Sequence, residues 1–294
     1  MKNITVKLIK HLRDITGVGI LDCKHALMRK GTIEDAVVFL KKQGIVATSN
    51  RVNKTALQGL IAIKVNSNSA AVIEVNCETD FVSRNYLFTK LVDDLVSNIT
   101  LVNTKFYGES KGSLLDNVTF FKDREKTIKQ VINEHINIVN EKIFISRFAK
   151  LHIGNIFSGY LHYNKAIGVI LSMTVSKIIE DSEILTRLAK NIALHIAASS
   201  PLYIDKSFIK SKKIYDEQSI FRNQAMKLGK KLNIVTKIVN RKMQTFFEQN
   251  CLLDQFFVKD PSVRIRELIN KIEIKYKINI SINNFVRFKI GEHI

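Results

Sequence analysis

Two stretches whose leading glycines lie one hundred residues apart constrain the fold most. In the first, Gly59-Leu-Ile-Ala-Ile-Lys-Val65 and Ala70-Ala-Val-Ile-Glu-Val75 flank a turn-rich Asn66-Ser-Asn-Ser69. In the second, Gly159-Tyr-Leu-His-Tyr163 precedes Ala166-Ile-Gly-Val-Ile-Leu-Ser-Met173. Short apolar runs rich in Val and Ile, split by polar turn residues, predict a β-hairpin. Helical spacing follows each one, over 82–99 and 182–198. Two related hairpin-plus-helix halves account for this most simply as an α+β core.

Residues 1–47 read as a compact three-helix unit. Leu8, Ile9, Leu12 and Ile15 keep helical spacing up to Thr16-Gly-Val-Gly19. Asp22 is placed to cap a second helix that runs through Ala26, Leu27 and Met28 to Gly31. A third opens at Thr32, with Asp35 three residues on, and ends before Gly44. Polar residues 48–54 make a linker. Residues 211–250 predict an antiparallel helical hairpin that turns at Gly229. Its apolar stripe is Ile234, Val235, Ile238, Val239, Met243 and Phe246. Such a stripe packs on the partner helix, and the pair can also protrude as a contact surface.

Composition removes several classes. At 294 residues, with 46% hydrophobic and 25% charged, the chain can form two or three domains with a real core. No apolar run reaches the roughly 20 residues of a membrane-spanning helix. The N-terminus passes into amphipathic spacing without signal- or transit-peptide character. A cytoplasmic protein with no membrane contact is expected. Cys23, Cys77 and Cys251 are far apart in sequence, which predicts reduced, buried thiols. The net charge of +19 raises the question of nucleic acid. Lys and Arg are spread along the chain, so the reading is diffuse surface charge, and nucleic acid is not expected as a partner.

No catalytic constellation stands out. The seven histidines are scattered, and neither HExxH nor Cys/His metal spacing occurs. No glycine-rich phosphate loop follows a strand. An enzyme is not expected, nor a metal, a cofactor or a nucleotide bound by this chain alone. His162 in a hairpin and His195 on a helix read as structural residues. The segment 75–82, which joins a strand to a helix, has two readings. Either Asp80 caps the helix and Phe81 packs inward, which periodicity alone favours, or Phe81 is an exposed wedge beside a carboxylate at a rigid junction.

Four collinear stretches resemble the elongation factor Ts family between Ile4 and Glu292. They are Leu12-Arg-Asp-Ile-Thr-Gly-Val-Gly-Ile-Leu-Asp-Cys-Lys-His-Ala-Leu27 with Gly31-Thr-Ile-Glu-Asp-Ala36, and Glu74-Val-Asn-Cys-Glu-Thr-Asp-Phe-Val82, the most specific. The third pairs Gly159-Tyr-Leu-His162 and Ile167-Gly-Val169 with His195-Ile-Ala-Ala-Ser-Ser-Pro201. The fourth is Phe257-Val-Lys-Asp-Pro-Ser262 with Phe285-Val-Arg-Phe-Lys-Ile-Gly-Glu292.

The resemblance implies a ubiquitin-associated-like domain over 1–47, the linker over 48–54 and one core subdomain over 55–155. A pseudo-related second subdomain would occupy 156–210 and 251–294, interrupted by the helical hairpin at 211–250. It implies a partner, elongation factor Tu, in its GDP-bound and nucleotide-free forms. Thr79, Asp80, Phe81 and Val82 would insert near that partner's magnesium and phosphate site, so that GDP is released and GTP can reload. Arg13, Ile20 and Leu21 would grip its nucleotide domain, and His162 would make a further contact. Three departures stand against the pattern. Ala166 replaces a usual Arg or Lys, the hairpin lacks a Pro after Gly229-Lys230, and the chain ends at Ile294, where a further C-terminal helical module is expected. Two rival readings are a basic RNA- or ribosome-binding protein and a ubiquitin-associated interaction module. The second leaves Asp80 and Phe81 unexplained.

Overall fold

The computed structural model describes residues 8–12, 20–33, 35–36, 39, 58–102, 108–177, 179, 182–227, 229 and 232–292. Near the N-terminus, α1 (Ile20–Lys30) shares a small separate core with its neighbours. Leu12, Cys23, Ala26, Leu27 and Ala36 are buried there, with Ile9, Ile33 and Phe39 packed on them. Thr32 Oγ1 accepts a hydrogen bond from the Asp35 N–H at 3.2 Å, which satisfies a donor at the helix start.

From β1 (Gln58–Val65) onward the chain is α+β, with antiparallel sheets and helices on their outer faces. β2 (Ala70–Cys77), α2 (Asp80–Ser83), α3 (Tyr86–Leu101) and β3 (Gly108–Lys111) follow. Next come β4 (Thr119–Phe120), β5 (Asp123–Thr127), α4 (Ile128–Val139) and β6 (Ile143–Leu151). The second hairpin is β7 (Ile156–Leu161) and β8 (Ile167–Val175), followed by α5 (Ser182–Ser199). Then come α6 (Ser211–Met226), α7 (Leu232–Asn250), β9 (Phe256–Phe257), β10 (Asp260–Arg264), α8 (Ile265–Tyr276) and β11 (Ile280–Lys289). The helix anticipated over 82–99 is two helices. Asn85 is extended, and its Oδ1 accepts from Leu87 N–H at 2.8 Å, which ends α2 and caps α3.

After residue 58 the element order recurs, apart from β3 in the first pass and α6 and α7 in the second. Hairpin, helix, two-stranded ribbon, helix and strand appear once as β1 to β6 and again as β7 to β11. Strands β4, β5 and β6 and helix α4 begin at 119, 123, 143 and 128; β9, β10, β11 and α8 begin 137 residues later. The first hairpin and helix are offset by only 96 to 98 residues. The difference is about the length of 211–250. Local chemistry recurs too. Phe120-Phe-Lys-Asp123 and Phe257-Val-Lys-Asp260 open the two ribbons. Thr127 N–H donates to Gln130, and Arg264 N–H donates to Glu267. Asn140 and Lys277 end the following helices in the left-handed region, at φ 58° and 52°.

The first sheet has order β1-β2-β6-β3 and the second β11-β8-β7, and they pack face to face. Alternate residues of β2 point to opposite faces, as a pleated strand requires. Ala71, Ile73, Val75 and Cys77 meet α3 and α4, while Ala70 and Val72 meet Ile170, Val286 and Phe288 of the other sheet. Residues of α5 and α8 cover the second sheet's outer face. Contact between the sheets is close at Gly168, where a Cβ would lie 2.4 Å from Ile61 Cγ2.

A buried polar group lies between the sheets. Glu74 and Arg147 pair across β2 and β6, with Nε donating to Oε2 at 2.7 Å. Arg147 also donates to Lys289 O of β11 at 3.0 Å and stacks over Phe288, while Gly291 N–H donates to Glu74 Oε1 at 3.1 Å. Lys150, also buried in β6, donates to the carbonyls of Thr100 and Val102 where α3 ends. Both cations are matched by acceptors, as buried charge must be.

Helices α6 and α7 form the anticipated hairpin, with Gly229 at φ 64° between them. Val235 and Met243 are buried against α6, Ile238, Val239 and Phe246 are half-buried, and Ile234 is exposed. Beyond its root at 252–254 the pair packs chiefly on itself. The root is closed by Leu202 N–H to Asn250 O at 2.9 Å and Leu252 N–H to Tyr203 O at 2.9 Å.

His195 is buried on α5. Its Nε2 donates to Gln255 Oε1 at 3.0 Å, and its Nδ1 accepts from Val258 N–H at 3.2 Å. Burial lowers its pKa below the usual 6.5, so the folded state prefers the neutral ring. The unfolded chain then binds more protons below that pH. Stability should be fully present above about pH 6.5 and should decline as pH falls toward the depressed folded value, by at most ~1.4 kcal/mol per unit from this group. Urea unfolding at pH 7.5 and 5.5 should show a smaller loss for His195→Gln than for the parent chain. Arg147→Met should cost about 3–5 kcal/mol by leaving Glu74 buried and unpaired. The double variant Glu74→Leu/Arg147→Met should recover most of that, as read by the same unfolding curves.

Candidate functional site

β2 is buried along its length, and the chain leaves the sheet at Glu78. Thr79 is the N-cap of α2: its backbone is extended, at φ −123° and ψ 158°, and its Oγ1 accepts from Val82 N–H. The same hydroxyl donates to Glu141 Oε1 at 2.7 Å, and Thr79 N–H donates to Glu141 Oε2 at 3.1 Å. In return Lys142 N–H donates to Glu78 Oε1 at 3.3 Å. The corner between β2 and α2 is thus tied twice to the connection between α4 and β6. Cys77 Sγ–H donates to Thr79 O at 3.2 Å. Burial, reinforced by the nearby Glu141 charge, pushes this thiol's pKa up to about 12. It stays protonated and acts as packing rather than as a nucleophile.

On this corner Val82 turns into the core and Phe81 turns outward, 83% exposed. Asp80 is half-buried and lies 3.2 Å from Arg84, one turn on. Tyr86 and Leu87, both exposed, follow at the start of α3. Burying an aromatic is favourable by a few kcal/mol, so leaving Phe81 out forgoes stability that the fold could have used. The inward packing of Phe81 that periodicity favours does not occur.

His162 sits in the turn between β7 and β8. Tyr160 Oη is 3.1 Å from its Nδ1, and the exposed Tyr163 ring lies 4.6 Å away. Lys165 O in the same turn accepts from Ile61 N–H on β1 at 2.8 Å. Ile61 is three residues from Gln58, the partner of Cys77. At ~3.3 Å per residue, the turn meets β1 about 10 Å from the end that carries the corner. Ala166 is half-buried, and its carbonyl accepts from Ile290 N–H at 3.0 Å. Arg13 and the side chains of Ile20 and Leu21 fall outside the described residues.

Glu141 and Lys142 are parts of the corner that the sequence does not point to, because they lie more than 60 residues from Thr79 and only the fold joins them to it. Glu78 lies within the 74–82 stretch, but its bond to Lys142 N–H is equally a product of the fold. Tyr86 was legible only as part of a helix pattern. Among the described residues no His, Cys, Asp and Glu group could hold a metal ion, and no helix is long and apolar enough to cross a membrane.

The family model for elongation factor TS matches residues 78–292. Curated relatives cover nearly the entire chain. The Elongation factor Ts of Clostridium novyi is 34% identical over 98% of this chain and 93% of its own. That of Lawsonia intracellularis is 35% identical over 99% of both chains, and that of Clostridioides difficile 33% identical over 100% of this chain and 95% of its own. With the match extending from the Glu78 corner through β11, this chain belongs to the elongation factor Ts family.

Proposed function

We propose that this chain is a guanine-nucleotide exchange factor of translation that acts on elongation factor Tu in the cytoplasm. The observation that carries the reading is Phe81, exposed on a corner whose backbone Glu141 and Glu78 hold in place. A side chain already fixed in its bound direction loses little conformational entropy on docking. Phe81 enters the partner near its magnesium and phosphate site, with Asp80 and Thr79 on one side and Val82 anchoring the turn. Disturbing those contacts weakens GDP binding, and GTP reloads the partner. The factor carries out no bond chemistry, and it needs no cofactor or nucleotide of its own. It works by binding the nucleotide-free partner more tightly than the GDP-bound one, and linkage makes the two effects reciprocal.

His162 and Tyr163 form a second contact. Arg13, Ile20 and Leu21, in a ubiquitin-associated-like unit over 1–47, grip the partner's nucleotide domain. In this reading the core divides into pseudo-related subdomains over 55–155 and over 156–210 with 251–294, and 211–250 is an insertion.

Release of a fluorescent GDP from the cognate elongation factor Tu, with and without this chain, tests the proposal directly. No acceleration at saturating concentration would end it. Phe81→Ala should slow catalysed release by roughly tenfold or more, because truncating a central aromatic removes a few kcal/mol at a hot spot. Its unfolding free energy should change by less than about 0.5 kcal/mol, as at other exposed positions. Glu141→Ala separates stiffness from contact. It should cost about 1–2 kcal/mol in stability through the lost Thr79 bonds and slow exchange, with Phe81 itself intact. Normal exchange rates in that variant would show that the clamp does not matter for docking.

A further inference from the structure

The charge of this chain is less diffuse than its sequence suggests. Between Gln218 and Phe247 there is no Asp or Glu, while seven Lys and Arg occur, over a third of the net +19 in thirty residues. The fold gathers five of them on the outer part of the α6–α7 hairpin. Arg222 is exposed on α6, Lys227 just past its end, and Lys237, Arg241 and Lys242 on α7, while Lys230 and Lys231 fall outside the described residues. Lys237 and Arg241 are one turn apart on the same helix face. Among the described residues none of the five has a carboxylate partner, and Lys242 reaches only Gln224 Oε1, at 2.7 Å, and the Phe221 ring. Cations at the root are treated differently. Arg264 pairs with Glu248, and Arg266 with Asp254.

We propose that the outer half of this helical hairpin binds the phosphate backbone of folded RNA. Its complementarity is electrostatic: unpaired cations on two antiparallel helices, with exposed Asn223, Asn233 and Asn240 among them as neutral donors. Five of the seven cations are Lys. Protein interfaces are depleted in Lys, whereas phosphate contacts use it freely. Phosphate contact carries no base information, so the binding is independent of sequence. The surface lies on the insertion and not on the corner that bears Phe81.

The test uses the full chain and a fluorescent RNA duplex of arbitrary sequence, about 20 base pairs long, titrated by anisotropy between 50 and 200 mM salt. Binding should weaken steeply with salt, by about 0.9 in log–log slope for each phosphate contacted. Lys237→Gln/Arg241→Gln/Lys242→Gln should raise Kd at least tenfold and reduce the slope by about 2–3. A control, Lys122→Gln/Lys129→Gln/Lys271→Gln, should leave both within twofold. Circular dichroism on both variants confirms folding, and GDP release from elongation factor Tu should be unchanged in the hairpin variant. Equal losses in the two variants would mean diffuse charge and overturn the proposal, as would the absence of salt-dependent binding. Competition by polyglutamate as effective, per charge, as by unlabelled RNA would point to an acidic protein surface and overturn it too.

Discussion

The contact between the two sheets supports everything else in this structure. It is mostly apolar, built from Ile61, Val72, Ile170, Val286 and Phe288, yet its register is marked by one polar group. Glu74 and Arg147 satisfy each other within the first sheet, then reach Gly291 and Lys289 of the second. A buried ion pair adds little net stability, because desolvation offsets its attraction. Its effect is on alternatives: sliding the sheets by a residue would leave Glu74 and Arg147 paired with each other but break their bonds to Gly291 N–H and Lys289 O, a loss that an all-apolar seam would not register. Gly159 and Gly168 leave room at the seam for the side chains of Ile61, Ile63 and Val65.

That seam also sets where the exposed groups stand. Because β2 is buried on both faces, the chain leaving it at Glu78 has a fixed departure point, and α3 is fixed by its own buried row from Phe88 to Ile99. The short span from 78 to 85 is held between the two. Glu141 completes the constraint from the far side. A bulky ring on such a span has few directions available, and with Val82 turned inward Phe81 faces out.

Much of this was legible in the sequence. The two hairpins, the helix after the second and the helical pair all read correctly, since alternation and turn residues are local signals. The segment 143–151 was not read, because Arg147 and Lys150 break its apolar run and charges are normally taken as exposed. Here both are buried and answered by groups far away in sequence, which no local pattern encodes. The recurrence of β4 to β6 in β9 to β11 was hidden for another reason. The α6–α7 pair adds about forty residues before β9, so a single period cannot align both ends of the repeat. At the corner, local pattern assigns the cap to Asp80 and turns Phe81 inward; instead Thr79, one residue earlier, caps α2, Asp80 is the helix's first residue, and Phe81 faces out.

The root of the helical pair has a consequence for how such a chain can change over generations. Backbone bonds between residues 202–204 and 250–253 hold the two ends of the excursion side by side. From the core's standpoint the whole pair is a detour between two adjacent points. Lengthening or shortening it alters loop-closure entropy only logarithmically, by a fraction of a kcal/mol per doubling. Mutation can therefore remodel its tip, in charge and in length, without disturbing the sheets, and this part of the molecule is free to acquire or lose partners while the rest is held constant.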